Sequence, residues 1–168
     1  MIEMIFAEFD KMLGNLSGLL DKAEALAAQK KFDVGNLLAA RLAPDQFHFI
    51  RQVQIACDTV KFGASRLAGK DAPRFEDNES TMPDLRRRIT MTRDFLASVK
   101  AADFTGWESR KTLNPRREGK YLPGDEYLMQ HVIPNFYFHV TTAYSILRHN
   151  GVEIGKADYL GAINYRDL

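Results

Sequence analysis

The sequence predicts an all-α protein, a four-helix bundle in a single domain that spans residues 1–168. Four long segments carry apolar residues at every third or fourth position, which is the period of an amphipathic helix. Capping residues, prolines and glycines stand near the ends of these segments, as they do at the ends of helices. A chain of 168 residues also suits one domain, because it can bury a core of its own at this size.

The first long helix is predicted from Ile2 to about Gln29. Its buried stripe is Ile2, Phe6, Phe9, Leu13, Leu16, Leu20, Ala23 and Ala27. Gly14 and Gly18 lie on one face and each costs about 1 kcal/mol relative to alanine, so they indicate a close helix contact or a bend. Further apolar residues outside the stripe are Met4, Ile5, Met12, Leu19 and Leu26. These predict a second contact surface and hence a homodimer, the alternative being a central helix that touches two neighbours.

A short helical turn after Asp33 and a second long helix, with Pro44 in its first turn, are predicted next. The buried stripe of this second helix is Phe47, Ile50, Val53, Cys57, Val60, Ala64 and Leu67. Gly69 provides its C-terminal stop. Cys57 is the only cysteine, so no intrachain disulfide can form, and its apolar neighbours predict a core residue rather than a reactive thiol.

The third long helix is predicted from a capping residue, Thr81, to about Lys100, with Pro83 just inside its start. Its inward face is Leu85, Ile89, Thr92, Leu96 and Val99. The three arginines at 86–88 point in different directions, because successive helical residues are about 100° apart. We expect them to form a solvated face rather than a phosphate site.

A long irregular connection follows, and the fourth long helix is predicted from about Asp125 to His149. Within the connection, "SRKTL" and "GKYL" can pair as a small hairpin around "NPRREG". Trp107 is expected to anchor the connection to the core, with a lid over a pocket as the alternative. Pro134 predicts a kink in the fourth helix, because its ring pushes against the carbonyl of Gln130.

Composition and charge exclude several classes of protein. The chain is 45% hydrophobic and 27% charged, unlike a disordered or membrane protein. Its net charge of +1 predicts neither a nucleic-acid nor a membrane partner, although the arginines at 86–88 and 116–117 are the local basis for a nucleic-acid alternative. The acidic start of the chain lacks the basic region of a signal peptide, and a cytoplasmic location is predicted.

Three of the four histidines lie in the predicted fourth helix, where His131, Asn135 and His139 form one stripe. Histidines four residues apart are a familiar metal-binding pair, but Asn135 stands at the pairing position. His131 and His139 are about 12 Å apart along the helix axis, too far to share one ion unless the kink intervenes. The second helix offers four possible partners: His48, Gln52, Gln54 and Asp58. Asp58 could orient an imidazole of the fourth helix.

Three stretches, "ARLAPDQFHFIRQVQIACDTVK", "FEDNEST" and "IPNFYFHVTTAYSILRHNGVEIGKADYLG", resemble a bacterial domain family of unknown function in the DinB/YfiT-like metalloenzyme superfamily. This resemblance implies a four-helix bundle with up-down-down-up connections that is commonly dimeric. It also implies that some members hold a metal with three histidines and transfer thiols. Of those three positions, His139 matches a histidine, whereas Asn135 and Gln52 or Gln54 replace the other two.

These observations favour a bundle that binds a small ligand or dimerises and has a degenerate metal site. The candidate pocket residues are Gln52, Gln54, Asp58, Asn135 and His139. No cofactor is predicted. One alternative is a metal-dependent enzyme, of the thiol-transfer kind, that holds nickel, zinc or iron with His139 and with His48 or His131. Another is a metal-free hydrolase in which Asp58 orients His139.

Overall fold

A computed structural model describes residues 1–113 and 117–167. Its helices are α1 (Ile2–Lys30), α2 (Gly35–Ala39), α3 (Phe49–Ala68), α4 (Met82–Ser98), α5 (Gly124–Tyr127), α6 (Ile133–His149) and α7 (Lys156–Leu160). Its strands, β1 (Thr112–Leu113) and β2 (Tyr121–Leu122), pair antiparallel. The predictions of an all-α bundle and of a small hairpin before its last helix are therefore confirmed. Residues 114–116, in the predicted turn "NPRREG", lie outside the described residues.

The core forms between four long helices. α3 packs against α4 and α6, and α1 packs against the same two helices from the other side. The predicted stripes are buried in this core except for Phe47, which is exposed, and Ile50 and Val99, which are half-buried; the Cys57 side chain is fully enclosed. Burial raises the pKa of its thiol to about 12, which keeps it protonated. The prediction that Cys57 is a core residue is thus confirmed.

The proposed second surface of α1 is wrong for three of its five residues. Met12, Leu19 and Leu26 are buried within the chain, because α1 lies between two neighbouring helices. The predicted close contact at the glycines is also wrong. Gly14 lies beside the guanidinium of Arg93, and Gly18 has open space where a Cβ would be.

The ends of α3 and α4 show how local sequence sets their lengths. Pro44 lies in a turn rather than in a helix, so α3 begins later than predicted and Phe47 is exposed. At the other end, Gly69 adopts a left-handed conformation with φ 67° and stops the helix, as predicted. Thr81 and Asp84 form a reciprocal capping box at the start of α4, which fixes that boundary.

The predicted fourth helix is built from α5, a π-helical turn at Leu128–Val132, and α6; together they form the last long helix. Pro134 lies in the first turn of α6, directly after the π turn. The distortion expected at the proline is therefore placed in the turn before it, where wider winding accommodates the missing N–H. Gly63 allows α3 to approach closely, because a Cβ there would come within 2.9 Å of a methyl group of Val132.

The connection between α4 and the last long helix is held against the core by Trp107. Its side chain is buried, which confirms the predicted anchor. A Cβ at Gly124 would overlap the carbonyl oxygen of Trp107, so glycine is needed where the connection meets α5. Over the described ranges, no helix combines the length and apolar character needed to cross a bilayer.

Candidate functional site

A cleft of about 440 Å³ lies between α3 and the last long helix. Its lining consists of Phe47, Arg51, Ile55, Asp58, Thr59, Phe62, Arg66, Tyr127, His131, Asn135 and His139. Four of the predicted site residues, Asp58, His131, Asn135 and His139, are among them. The volume falls within the range of small-molecule sites, and pockets between the helices of a bundle commonly hold ligands.

His139 is held in one orientation by Gln52. The Gln52 amide nitrogen donates to the carbonyl oxygen of Phe47 at 2.8 Å, which leaves its carbonyl oxygen 2.7 Å from Nδ1 of His139. Because an amide oxygen can only accept, the imidazole carries its proton on Nδ1 and keeps a lone pair on Nε2. Burial, with a smaller contribution from Arg51, lowers the pKa of His139 to about 4. The ring is therefore neutral at pH 7.

Asn135 lies one turn before His139 and is oriented by a second contact with α3. Its amide nitrogen donates to the hydroxyl oxygen of Thr59 at 2.7 Å, and that hydroxyl donates to the carbonyl of Ile55. The amide oxygen of Asn135 accepts no hydrogen bond from the residues that the structure describes. Two acceptor atoms, this oxygen and Nε2 of His139, are thus available to a molecule in the cleft.

These atoms do not fit a transition-metal site. Among residues 1–113 and 117–167, no three His, Cys, Asp or Glu side chains come together as a ligand set. The Gln52 oxygen is engaged by His139, and the neutral oxygen of Asn135 is a poor ligand for zinc or nickel. His131 stacks on Tyr127, with ring centroids 5.4 Å apart. His48 precedes α3 and does not line the cleft.

Gln54 belongs to a different environment from Gln52. Its amide nitrogen donates to Glu79 at 2.7 Å, and its oxygen accepts from Arg51 at 2.9 Å. Both contacts lie on the face of α3 that meets the segment between α3 and α4. The prediction that Gln54 lines the pocket is therefore wrong, because residues two apart on a helix differ in direction by about 200°.

Asp58 does not orient His139. It lines the cleft, but its carboxylate lies 2.8 Å from Nζ of Lys61 and 2.9 Å from a terminal nitrogen of Arg88. The predicted pairing between Asp58 and an imidazole of the last long helix is wrong, since Lys61 and Arg88 hold its carboxylate instead. This geometry also removes the basis for a metal-free hydrolase built on that pair.

Arg88 is the centre of what we call the Arg88 cluster: Gln54, Asp58, Lys61, Phe75, Asp77, Glu79 and Arg88. Arg88 and Lys61 are each only 2% exposed. Arg88 donates to Glu79 at 2.9 Å, and its guanidinium lies 5.4 Å from the ring centroid of Phe75. The prediction of a solvated arginine face at 86–88 is wrong at this position, because carboxylates distant in sequence neutralise the buried cation.

Arg86 and Arg87 differ from Arg88. Arg86 donates to Asp21 and Glu24 of α1, and Arg87 is exposed and contacts Asp84 in its own helix. Only Arg87 therefore matches the expected solvated face, because Arg86 is half-buried and paired with two carboxylates of α1. Arg116, part of the nucleic-acid alternative, lies outside the described residues.

Sequence reasoning missed the other end of the cleft. Arg66 donates to the phenol oxygen of Tyr127 at 2.8 Å, and its guanidinium lies 5.5 Å from the ring centroids of Phe62 and Tyr127. Burial, followed by the nearby charge of Arg66, lowers the pKa of His131. The helical period could have found this end, because Ile55, Thr59, Phe62 and Arg66 continue the face of Gln52 at steps of three or four.

The bundle, with a histidine presented between its second and last long helices, defines a DinB-like all-α protein. The chain is similar to a DinB family member protein from Shewanella denitrificans whose crystal structure is known, with 52% sequence identity and a TM-score of 0.94. The likeness covers 97% of this chain and 93% of that one. Residues 1–160 match the family described as "Domain of unknown function (DUF1993)", and the chain belongs to that family. No curated protein matches the chain.

Proposed function

We propose that this protein binds a small organic ligand in the cleft between α3 and the last long helix, without a transition metal. The observation that carries the proposal is the arrangement of His139. Gln52 accepts a hydrogen bond from Nδ1 of His139 and so fixes the tautomer of the ring, which leaves Nε2 as an acceptor in the cleft. Polar groups near a protein core normally have partners, so an oriented acceptor in a cleft indicates a binding site.

The acceptors define the part of the ligand that would contact them. Nε2 of His139 and the oxygen of Asn135 lie one helical turn apart and both accept, so the ligand should present hydroxyl or amine donors to them. Phe47 and Phe62 provide apolar walls. A ligand with a flat apolar body and a donor group at this end would use both features.

The low pKa of His139 favours binding over acid-base catalysis. An effective general base has a pKa near the working pH, whereas a ring with a pKa of about 4 takes up a proton poorly at pH 7. No described carboxylate contacts the ring to raise its basicity. The same neutral ring is well suited to accept a hydrogen bond from a ligand.

The metal-dependent alternative, including thiol transfer, would need more ligands than this cleft supplies. The degenerate metal site is supported by the chemistry of Gln52 and Asn135, which stand where the resemblance implies histidines. Metal analysis of protein purified without a histidine tag should find well under one nickel, zinc or iron ion per chain. A stoichiometric ion that is lost in His139→Ala would contradict the proposal.

We also propose a homodimer and a cytoplasmic location. Met1 and Met4 are 84% and 76% exposed, beside an apolar hollow lined by Ile5, Phe9 and Tyr137. This patch, rather than the buried side of α1, would be the contact surface. Light scattering should give twice the monomer mass, and Met4→Glu should reduce it to that of one chain.

The ligand proposal is tested by NMR of the untagged protein, whose histidine side chains are labelled with ¹⁵N. The protein is titrated with a library of small aromatic alcohols and amines. We expect binding compounds to shift Nε2 of His139. His139→Gln should weaken their binding at least tenfold, because the acceptor ring is lost.

His149→Gln, at the exposed end of α6, is the matched control and should leave binding unchanged. Thermal melting of both variants separates a lost ligand contact from a lost fold. If no compound shifts His139, or if His149→Gln weakens binding equally, the proposal is wrong.

A further inference from the structure

We propose that the ligand of this cleft is an anion, and that its charged end lies between Arg66 and the β1–β2 hairpin. This inference rests on the proposed function and names the chemical class of the ligand. The expected molecule has a flat apolar body, one carboxylate or phosphate group at one end, and at the other end the hydroxyl or amine donor proposed for His139.

The hairpin side of the cleft borders on a further hollow. A second hollow of about 330 Å³ is lined by Thr112, Leu113, Arg117, Lys120, Tyr121, Leu122, Tyr127 and His131. Tyr127 and His131 line both hollows, so their stacked rings form the shared wall between them. The two hollows are therefore adjacent, and the proposed ligand would have its apolar body in the cleft and its charged end at the second hollow.

Among residues 1–113 and 117–167, no carboxylate lies within 4.0 Å of Arg66. Five other arginines of the bundle, at positions 51, 86, 87, 88 and 93, have carboxylate partners within that distance. Within the described ranges, Arg66 contacts only the phenol oxygen of Tyr127 and the faces of two aromatic rings. These contacts orient a guanidinium but do not neutralise it.

The hairpin adds two cations on the same side. Arg117 and Lys120 line the second hollow, and no described acidic residue lines it. The one acid in the larger cleft, Asp58, is already paired with Lys61 and Arg88. Arg66 in the cleft, with Arg117 and Lys120 at the adjacent hollow, gives this side of the molecule a local positive potential although the whole chain carries only +1.

This charge pattern favours a carboxylate or phosphate over a neutral group. A guanidinium binds such anions through paired N–H donors, and the lysine adds a mobile charge. The aromatic rings of Phe62, Tyr127 and His131 match a flat apolar body. An aryl carboxylate or aryl phosphate fits both requirements.

The test uses the full chain with three probes: benzoate, phenyl phosphate and the neutral benzyl alcohol. We expect both anions to bind more tightly than benzyl alcohol, to shift the signals of Tyr127 and His131, and to weaken as salt rises. Arg66→Gln should weaken phenyl phosphate binding at least tenfold. Arg66→Lys, which keeps the charge but not the paired donors, should lose less.

Arg117→Gln combined with Lys120→Gln should weaken phenyl phosphate binding about threefold to tenfold. Arg87→Gln, which removes an exposed cation from α4, is the matched control and should have no effect. Thermal melts confirm that each variant is folded.

The outcomes separate this inference from the proposed function. If benzyl alcohol shifts His139 and binds as tightly as the anions, and Arg66→Gln has no effect, the anionic ligand is wrong while the ligand cleft stands. If phenyl phosphate shifts His131 in an Arg66-dependent way but benzyl alcohol, the probe with a hydroxyl donor, does not shift His139, the anion site stands and the proposed role of His139 is wrong.

Discussion

The two sides of α3 bury polar side chains in opposite ways. On the side of α4, Gln54 donates to Glu79, Asp58 pairs with Lys61, and Arg88 pairs with both carboxylates. On the side of the last long helix, Gln52 holds His139, and an acceptor atom of the ring remains available in the cleft. We call the first group closed, because each of its charges lies within 4.0 Å of an opposite charge, and the second open, because an acceptor faces the cleft. Burial of polar atoms alone therefore does not mark a site; an unpartnered acceptor that faces a cleft does.

Arg88→Met should have the largest effect, because it breaks the closed side. It leaves Asp58 and Glu79 without their buried cation, so we expect a loss of about 3 to 5 kcal/mol in the free energy of unfolding. Urea unfolding followed by circular dichroism measures the loss.

The control for this change is Arg87→Met in the same helix. Its exposed pair with Asp84 is screened by water, so the loss in the free energy of unfolding should be far smaller than for Arg88→Met. Equal effects of the two substitutions would show that the Arg88 cluster does not stabilise the fold.

The open side should be the part of the molecule whose stability responds to mild acid. The pKa of His139 is about 4 in the folded state and about 6.5 when unfolded, so the unfolded chain binds the proton first. Stability contributed by neutral His139 is present above pH 6.5 and is lost as pH falls towards 4. Between pH 7 and pH 4.5 we expect a loss of about 2 to 3 kcal/mol.

Comparison with His139→Gln isolates this contribution. The pKa values of His48 and His131 are also lowered, chiefly by burial, but their effects are present in both proteins and cancel. Urea unfolding at the two pH values should show a smaller loss for the variant. Identical losses would mean that His139 is not buried as a neutral ring.

Gln52→Leu should have the smallest effect on stability and a clear effect on the open site. Removing the acceptor behind His139 should cost about 1 kcal/mol and move the ring proton from Nδ1 to Nε2. The ¹⁵N shifts of the imidazole report the tautomer directly. A ring that keeps its proton on Nδ1 would show that another group orients it.

The sequence was sufficient for the architecture because the apolar period is a local signal. It placed α1, α3 and α4 and the small hairpin, and it identified His139 and Asn135 as neighbours at the core. It did not separate Gln52 from Gln54, although a turn of about 200° between them implied opposite faces. That angle was sufficient to place Gln52 and Gln54 on different faces of the second helix.

Other features depend on partners that are distant along the chain. Burial of Arg88 requires Glu79 from the preceding segment and Asp58 from another helix, and no local pattern identifies such a set. The role of Arg66 becomes visible only when Tyr127 is placed beside it.

The π turn at Leu128–Val132 has a consequence for evolution within the family. A π turn is equivalent to one residue inserted into a regular helix, so it rotates everything before it relative to His139 by about 100°. Loss of one residue there, for example the exposed Met129, would turn Tyr127 and the hairpin away from Arg66 while leaving the rest of the bundle in register. Relatives that differ by this single residue would have the same bundle, but the end of the cleft near Arg66 and Tyr127 would have a different shape.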